Sequence, residues 1–131
     1  MKIDPLDKLF SEFVRRRAIK TAGGCERCLV QKYDIQKENG DIFPAWKQLQ
    51  CSHYHGRGIK SVRYDPDNAA GLCGACHLYL GSQPDEHKQF FINRLGEHGY
   101  DMLLARKRQS AKYIDKSIIT LYLKAEIEKF K

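Results

Sequence analysis

LCGACHLYLG, residues 72–81, is the stretch on which the fold turns: two cysteines spaced by two residues, then His77 and an apolar run that stops at Gly81. A thiolate pair at this spacing can grip one zinc ion from a tight turn, and a second pair is needed to complete a tetrahedron. That second pair is Cys25 and Cys28, so zinc is expected on Cys25, Cys28, Cys73 and Cys76. A site closed by four sulfurs has no open position for chemistry, so the ion is expected to be structural. The 44 residues between Cys28 and Cys73 form a long insertion, which the metal would pin against the helix that follows Cys76. The competing readings are four buried or disulfide-bonded cysteines without metal, and a redox-active Cys-x-x-Cys. The doubled spacing and the odd total of five cysteines speak against the first, and the lack of a βαβ pattern around either pair speaks against the second.

Outward from the knuckles, residues 4–22 predict an amphipathic helix. Asp4 is a suitable N-cap, Pro5 fits the first position, and Leu6, Leu9, Phe10, Phe13 and Val14 recur at helical spacing before Gly23-Gly24. Between residues 25 and 72 the helical period is lost, and short strands broken at Asn39-Gly40 and Gly56-Arg57-Gly58 fit better. Pro84, followed by Asp85 and Glu86, opens another helix with Phe90, Phe91 and Leu95 on its apolar stripe. Tyr113, Ile114, Ile118, Leu121, Tyr122, Ala125 and Ile127 predict a long amphipathic helix at the end of the chain. The expected fold is α+β: one domain over residues 1–131, with a helix at 4–22, a zinc-stapled core at 25–82 and helices over 84–131.

The chain carries 23 Lys and Arg against 16 Asp and Glu, a net charge of +7 that favours a polyanionic partner. No run approaches the roughly 20 apolar residues of a membrane-spanning helix, and MKIDPLDKLF lacks the order of a signal peptide. A soluble, intracellular protein is expected.

The stretch CSHYHGRGIK, residues 51–60, adds Cys51 and two histidines at alternate positions. With zinc satisfied by sulfur, His53, His55 and His77 are free to form a second constellation with Asn68, which lies fifteen residues after His53 and nine before His77. This order, within SHYHGRG, VRYDPDN and C-x-x-C-H-x-x-x-G, resembles the HNH (His-Me finger, ββα-metal) endonucleases, and among them the phage NinG-type recombination nucleases. The likeness covers roughly residues 25–95. It implies a treble-clef-like ββα-metal core, hydrolysis of DNA, and a catalytic divalent cation such as Mg²⁺, Mn²⁺ or Ni²⁺. It also implies a cytoplasmic setting in a bacterial host, with phage or prophage origin.

The resemblance makes His53 the general base, Asn68 the residue that fixes its ring or the turn, and His77 a ligand of the catalytic ion. Many members carry an Asp just before the catalytic histidine; here that position is Ser52, a poor ligand for a hard cation. If residues 51–55 form a strand, 51, 53 and 55 share a face. His55 could then replace the carboxylate as metal ligand, or exchange roles with His53. Arg57, Lys60 and Arg63 beside the site, and the clusters Arg15-Arg16-Arg17 and Arg106-Lys107-Arg108, are candidate DNA contacts or else solvated charge. Cys51 reads as a buried thiol or, less simply, an alternate zinc ligand; Tyr54 and Tyr64 as packing residues; His87 and His98 as surface residues. Two other functions fit the same residues: a non-catalytic zinc module that holds DNA, and an interaction domain that forms a homo-oligomer or takes a partner through its last helix.

Overall fold

A computed structural model describes residues 3–111 and 114–131; Tyr113, assigned above to the stripe of the last helix, lies outside them. Helix α1 spans Pro5–Ala22. Asp4 caps it by accepting from the Leu6 amide at 2.8 Å, and Gly23, at φ 73°, closes it with an N–H donated to Ile19. Its buried residues are Leu6, Asp7, Phe10, Phe13, Val14 and Ala18; Leu9 of the expected stripe is only half-buried, and Ala18 extends the stripe by a turn.

After the first cysteine knuckle comes a small hairpin of β1 (Ile35–Gln36) and β2 (Ile42–Phe43), which turns at Gly40 with φ 90°. A 3₁₀ turn over Ala45–Gln48 leads into β3 (Gln50–His53), which pairs antiparallel with β4 (Ala69–Leu72). The register sets Cys51 opposite Gly71 and His53 opposite Ala69. Helix α2 (Gly74–Gly81) follows β4 directly, with Cys73 as its N-cap. Every residue of β4 is buried, because the strand lies against α1. Gly71 is required there: a Cβ on it would stand 2.5 Å from that of Ala18.

Helix α3 runs from Pro84 to Lys107 but breaks at Gly96, whose φ of 77° and ψ of 162° are not helical. Helix α4 (Lys116–Lys129) is capped by Asp115, which accepts from the Ile118 amide at 3.1 Å. It is shorter than the periodicity of the last twenty residues suggests and turns a different face inward: Ile118, Leu121, Tyr122 and Ala125 of the expected stripe are exposed, while Leu123 and Ile127 join Phe10, Phe13, Val14 and Tyr64 in one apolar cluster. A second cluster gathers Ala18, Leu49, Leu72, Leu80, Phe91 and Tyr100 beneath the cysteines. Each fully buried side chain the size of Phe91 contributes about 2–3 kcal/mol, and with so little sheet the two clusters carry most of the packing. The architecture is thus mixed α+β, with four helices and two small sheets among the described residues. No described helix is long and apolar enough to cross a membrane.

Candidate metal centre and basic cleft

The sulfur atoms of Cys25, Cys28, Cys73 and Cys76 all lie within 4.8 Å of one another, an arrangement that can hold a structural ion such as zinc. Cys28 Sγ and Cys73 Sγ are 3.8 Å apart, and a regular tetrahedron with Zn–S bonds of about 2.3 Å has edges of about 3.8 Å. Two donors face the sulfurs, the Cys76 amide at 3.5 Å from Cys73 Sγ and Arg27 Nη1 at 3.4 Å from Cys76 Sγ, although burial pushes the Cys76 thiol up to about 12. The first knuckle is tied to the sheet through Glu26, whose carboxylate accepts from the Gly71 amide at 2.6 Å and from Arg94 Nε at 2.8 Å. Cys51 is outside this set. Burial pushes its thiol up to about 12, so it is a neutral, packed group.

Next to the knuckles opens a cleft of about 930 Å³. Asp7, Lys8 and Arg15 of α1 form one wall, and Cys51 and His53 of β3 face them. Arg57 from the β3–β4 connection and His77 from the first turns of α2 complete the rim. Alternation along β3 explains the fate of Ser52, which points to the other side and is 2 % exposed. The serine therefore cannot serve the cleft.

His53 packs 5.5 Å from the Phe10 ring. Burial pushes its imidazole below the ordinary value. The Nε2 of the ring is buried without a hydrogen-bond partner. At neutral pH the ring is uncharged. His77 is half-buried, and its Nδ1 likewise has no partner.

Asn68 does not touch a histidine ring. Fully buried, it accepts from the His55 amide at 2.9 Å and donates Nδ2 to the carbonyls of His55, at 2.9 Å, and Val62, at 3.1 Å. It is the clasp that holds residues 55–62 in place. His55 departs from the expected shared face because β3 ends at His53. It does not line the cleft; its ring packs, tilted by 49°, 4.5 Å from that of Tyr54, and burial, with Lys107 and His87 nearby, pushes it down to about 4. His87, expected at the surface, is half-buried edge-on to Tyr54 and Phe91. Its contact is made by the turn between α2 and α3, which no spacing rule foretells. His98 is exposed, as expected. Tyr54 and Tyr64 pack: Tyr54 bonds Tyr100 hydroxyl to hydroxyl at 2.7 Å, and Tyr64 meets Phe10 edge-on.

The basic residues divide into free and committed groups. Arg57 is 61 % exposed at its side chain and reaches only to 3.9 Å from Asp7, while Lys60 and Arg108 are exposed. Lys107 is half-buried and gives its carbonyl to Ser61 Oγ at 2.7 Å. Arg63 is spent on Asp7, which it grips with Nε at 3.0 Å and with Nη2. Arg106 is spent on Asp65, at 2.6 Å, and Asp67, at 3.0 Å. The Arg15–Arg17 cluster splits the same way. Arg15 lines the cleft, Arg16 pairs with Glu12 at 2.9 Å, and Arg17 is drawn inward to the carbonyls of Pro66 and Ala69. Asp7 and Lys8 are site residues that motif reading passed over, whereas Arg15 belongs to a basic cluster already expected to meet DNA. Among the described residues the four cysteines are the sole group of three or more His, Cys, Asp or Glu side chains close enough to share an ion. Asp7 is the one carboxylate lining the cleft, and Arg63 holds it.

No protein-family model matches the chain, and neither the curated proteins nor the solved structures compared with it contain a match.

Proposed function

We propose that the protein is a divalent-metal-dependent endonuclease of the HNH type that hydrolyses DNA phosphodiester bonds, with a separate structural zinc. The observation that carries the reading is the placement of His53, with an unpartnered Nε2, in the same basic cleft as His77. A neutral imidazole with a nitrogen free of partners can take a proton from water, and burial holds this ring below the ordinary value. Arg57, Lys8 and Arg15 supply positive charge for the phosphate, a task for which the paired Arg63 and Arg106 are no longer available. β3, β4 and α2 follow one another with the second knuckle between strand and helix, the order the resemblance requires.

The catalytic cation does not find a ready ligand set in this cleft. His77 is its one candidate anchor, the remaining positions falling to water and substrate oxygen, and His55 is withdrawn from the role by its place against Tyr54. The same lack of a ligand set favours a second reading, a zinc-stabilised module that binds DNA without cutting it. Incubation with supercoiled plasmid and Mg²⁺, Mn²⁺ or Ni²⁺ separates the two. The nuclease nicks in at least one metal and loses the activity in His53→Ala and His77→Ala; a plasmid shifted but intact in every metal establishes the binding module. Self-association is proposed through the outer face of α4, where Ile118 is 64 % and Leu121 70 % exposed. Sedimentation at two concentrations reads it.

A further inference from the structure

A second hollow, of about 620 Å³, lies on the other side of α1's basic run. Its floor is apolar, with Ile19, Pro44, Ala45 and Phe130, and its rim carries Arg16, Lys20 and Lys47. The one carboxylate lining it, Asp34, is occupied by the Ala45 amide at 2.8 Å. Trp46 stands at the boundary. Arg15 lies 4.8 Å and Arg16 4.7 Å from the centre of its ring, and Lys47 5.6 Å. Arg15 lines the catalytic cleft and Trp46 lines this hollow, so the two are joined through a single arginine–tryptophan stack.

We infer that this hollow receives unpaired nucleotides, so that the strand entering the cleft of the proposed nuclease continues past Trp46 as single-stranded nucleic acid. The inference rests on that reading only for the direction of the strand. The chemistry is that of single-strand binding: cations follow the phosphates while the flat faces of bases settle on aromatic and apolar surface. A duplex keeps its bases stacked inside and offers a concave apolar floor nothing to bind. A purely acidic peptide would use the rim but leave the floor and the indole idle.

Trp46 is the one tryptophan of the chain, so its fluorescence reports on the hollow directly. The zinc-loaded full chain is titrated with oligo-dT, with a blunt duplex of equal length and with polyglutamate, no divalent cation being added. Oligo-dT is expected to quench the emission saturably and to bind roughly ten-fold tighter than the duplex, as loss or gain of one stacked base implies. A Lys20→Ala/Lys47→Ala variant should weaken binding of labelled oligo-dT and flatten its salt dependence. Trp46→Phe should weaken it less than Trp46→Ala, at unchanged zinc content. Unchanged emission at saturating oligo-dT, equal binding of the duplex, or equal quenching by polyglutamate would overturn the inference. Because nothing is cut in this experiment, those results leave the plasmid assay standing. Conversely, quenching by a protein that cuts no plasmid in any metal removes the nuclease and retains the strand-binding site.

Discussion

Replacing Asn68 by alanine removes three hydrogen bonds at once from a side chain that is 0 % exposed. Each such bond contributes about 1 kcal/mol net, and the groups left behind in buried surroundings cost about 1–3 kcal/mol each if nothing replaces the partner. The connection between β3 and β4 is partly exposed, so water can reach some of the freed main-chain groups. A loss of about 3 kcal/mol follows, rather than the maximal sum. At about 2.1 cal/mol/K of unfolding entropy per residue, a chain of this length loses about 10 °C of melting temperature. Scanning calorimetry of zinc-loaded Asn68→Ala beside the parent protein measures this shift, and metal analysis should show that the ion is retained. Asn68→Asp should fare no better, because it still accepts from His55 but turns a carboxylate toward two carbonyls. A shift of only a degree or two, with both variants equally mild, would refute the clasp.

Cys73→Ser should lose the tightly held zinc and the cooperative melt together, while His77→Ala keeps both; atomic absorption on purified protein decides, and zinc retained by the serine variant would contradict the tetrathiolate. Arg63→Met strands the Asp7 carboxylate, 8 % exposed at its side chain, with only the distant Arg57 nearby. The expected cost is about 2 kcal/mol in urea unfolding, largely recovered in Asp7→Asn/Arg63→Met; a single variant as stable as the double would show the pair to be idle. Acid should also weaken the fold. His53, His55 and His87 are all pushed below the ordinary 6.5 by burial, His55 to about 4. The unfolded chain therefore takes up protons first, and stability present above pH 6.5 is lost as pH falls toward about 4. With zinc in excess, His55→Gln should flatten that fall in urea midpoints measured across the range, and an unchanged slope would count against the buried neutral ring.

The legible parts of this molecule are those written in short-range spacing. Asp4, Pro5 and the apolar rows fix α1 to within a residue of where it lies, and Asn39-Gly40 turns the small hairpin. The two Cys-x-x-Cys pairs do meet, although 44 residues separate them, because metal geometry constrains spacing more tightly than packing does. What escapes such reading depends on partners far away in the chain. Arg17 and Arg63 look like phosphate contacts until β4 and Asp7, the latter 56 residues from Arg63, claim them. His55 shares a face with His53 only while the strand lasts, and the strand stops two residues too soon. The break in α3 at Gly96 has the same character: one glycine in a helical pattern is tolerated often enough to carry no signal.

The central claim is that four thiolates closed about one ion bring His53 and His77 to a cleft where a second cation can meet a phosphate. Anomalous diffraction from crystals of the zinc-loaded protein, grown with Mn²⁺ and an uncleavable phosphorothioate oligonucleotide, tests it most directly. The account predicts a zinc peak among Cys25, Cys28, Cys73 and Cys76 and a manganese peak beside His77, with a phosphate between it and His53 Nε2. Manganese absent from the cleft, or zinc bound there in place of the cysteines, would contradict it.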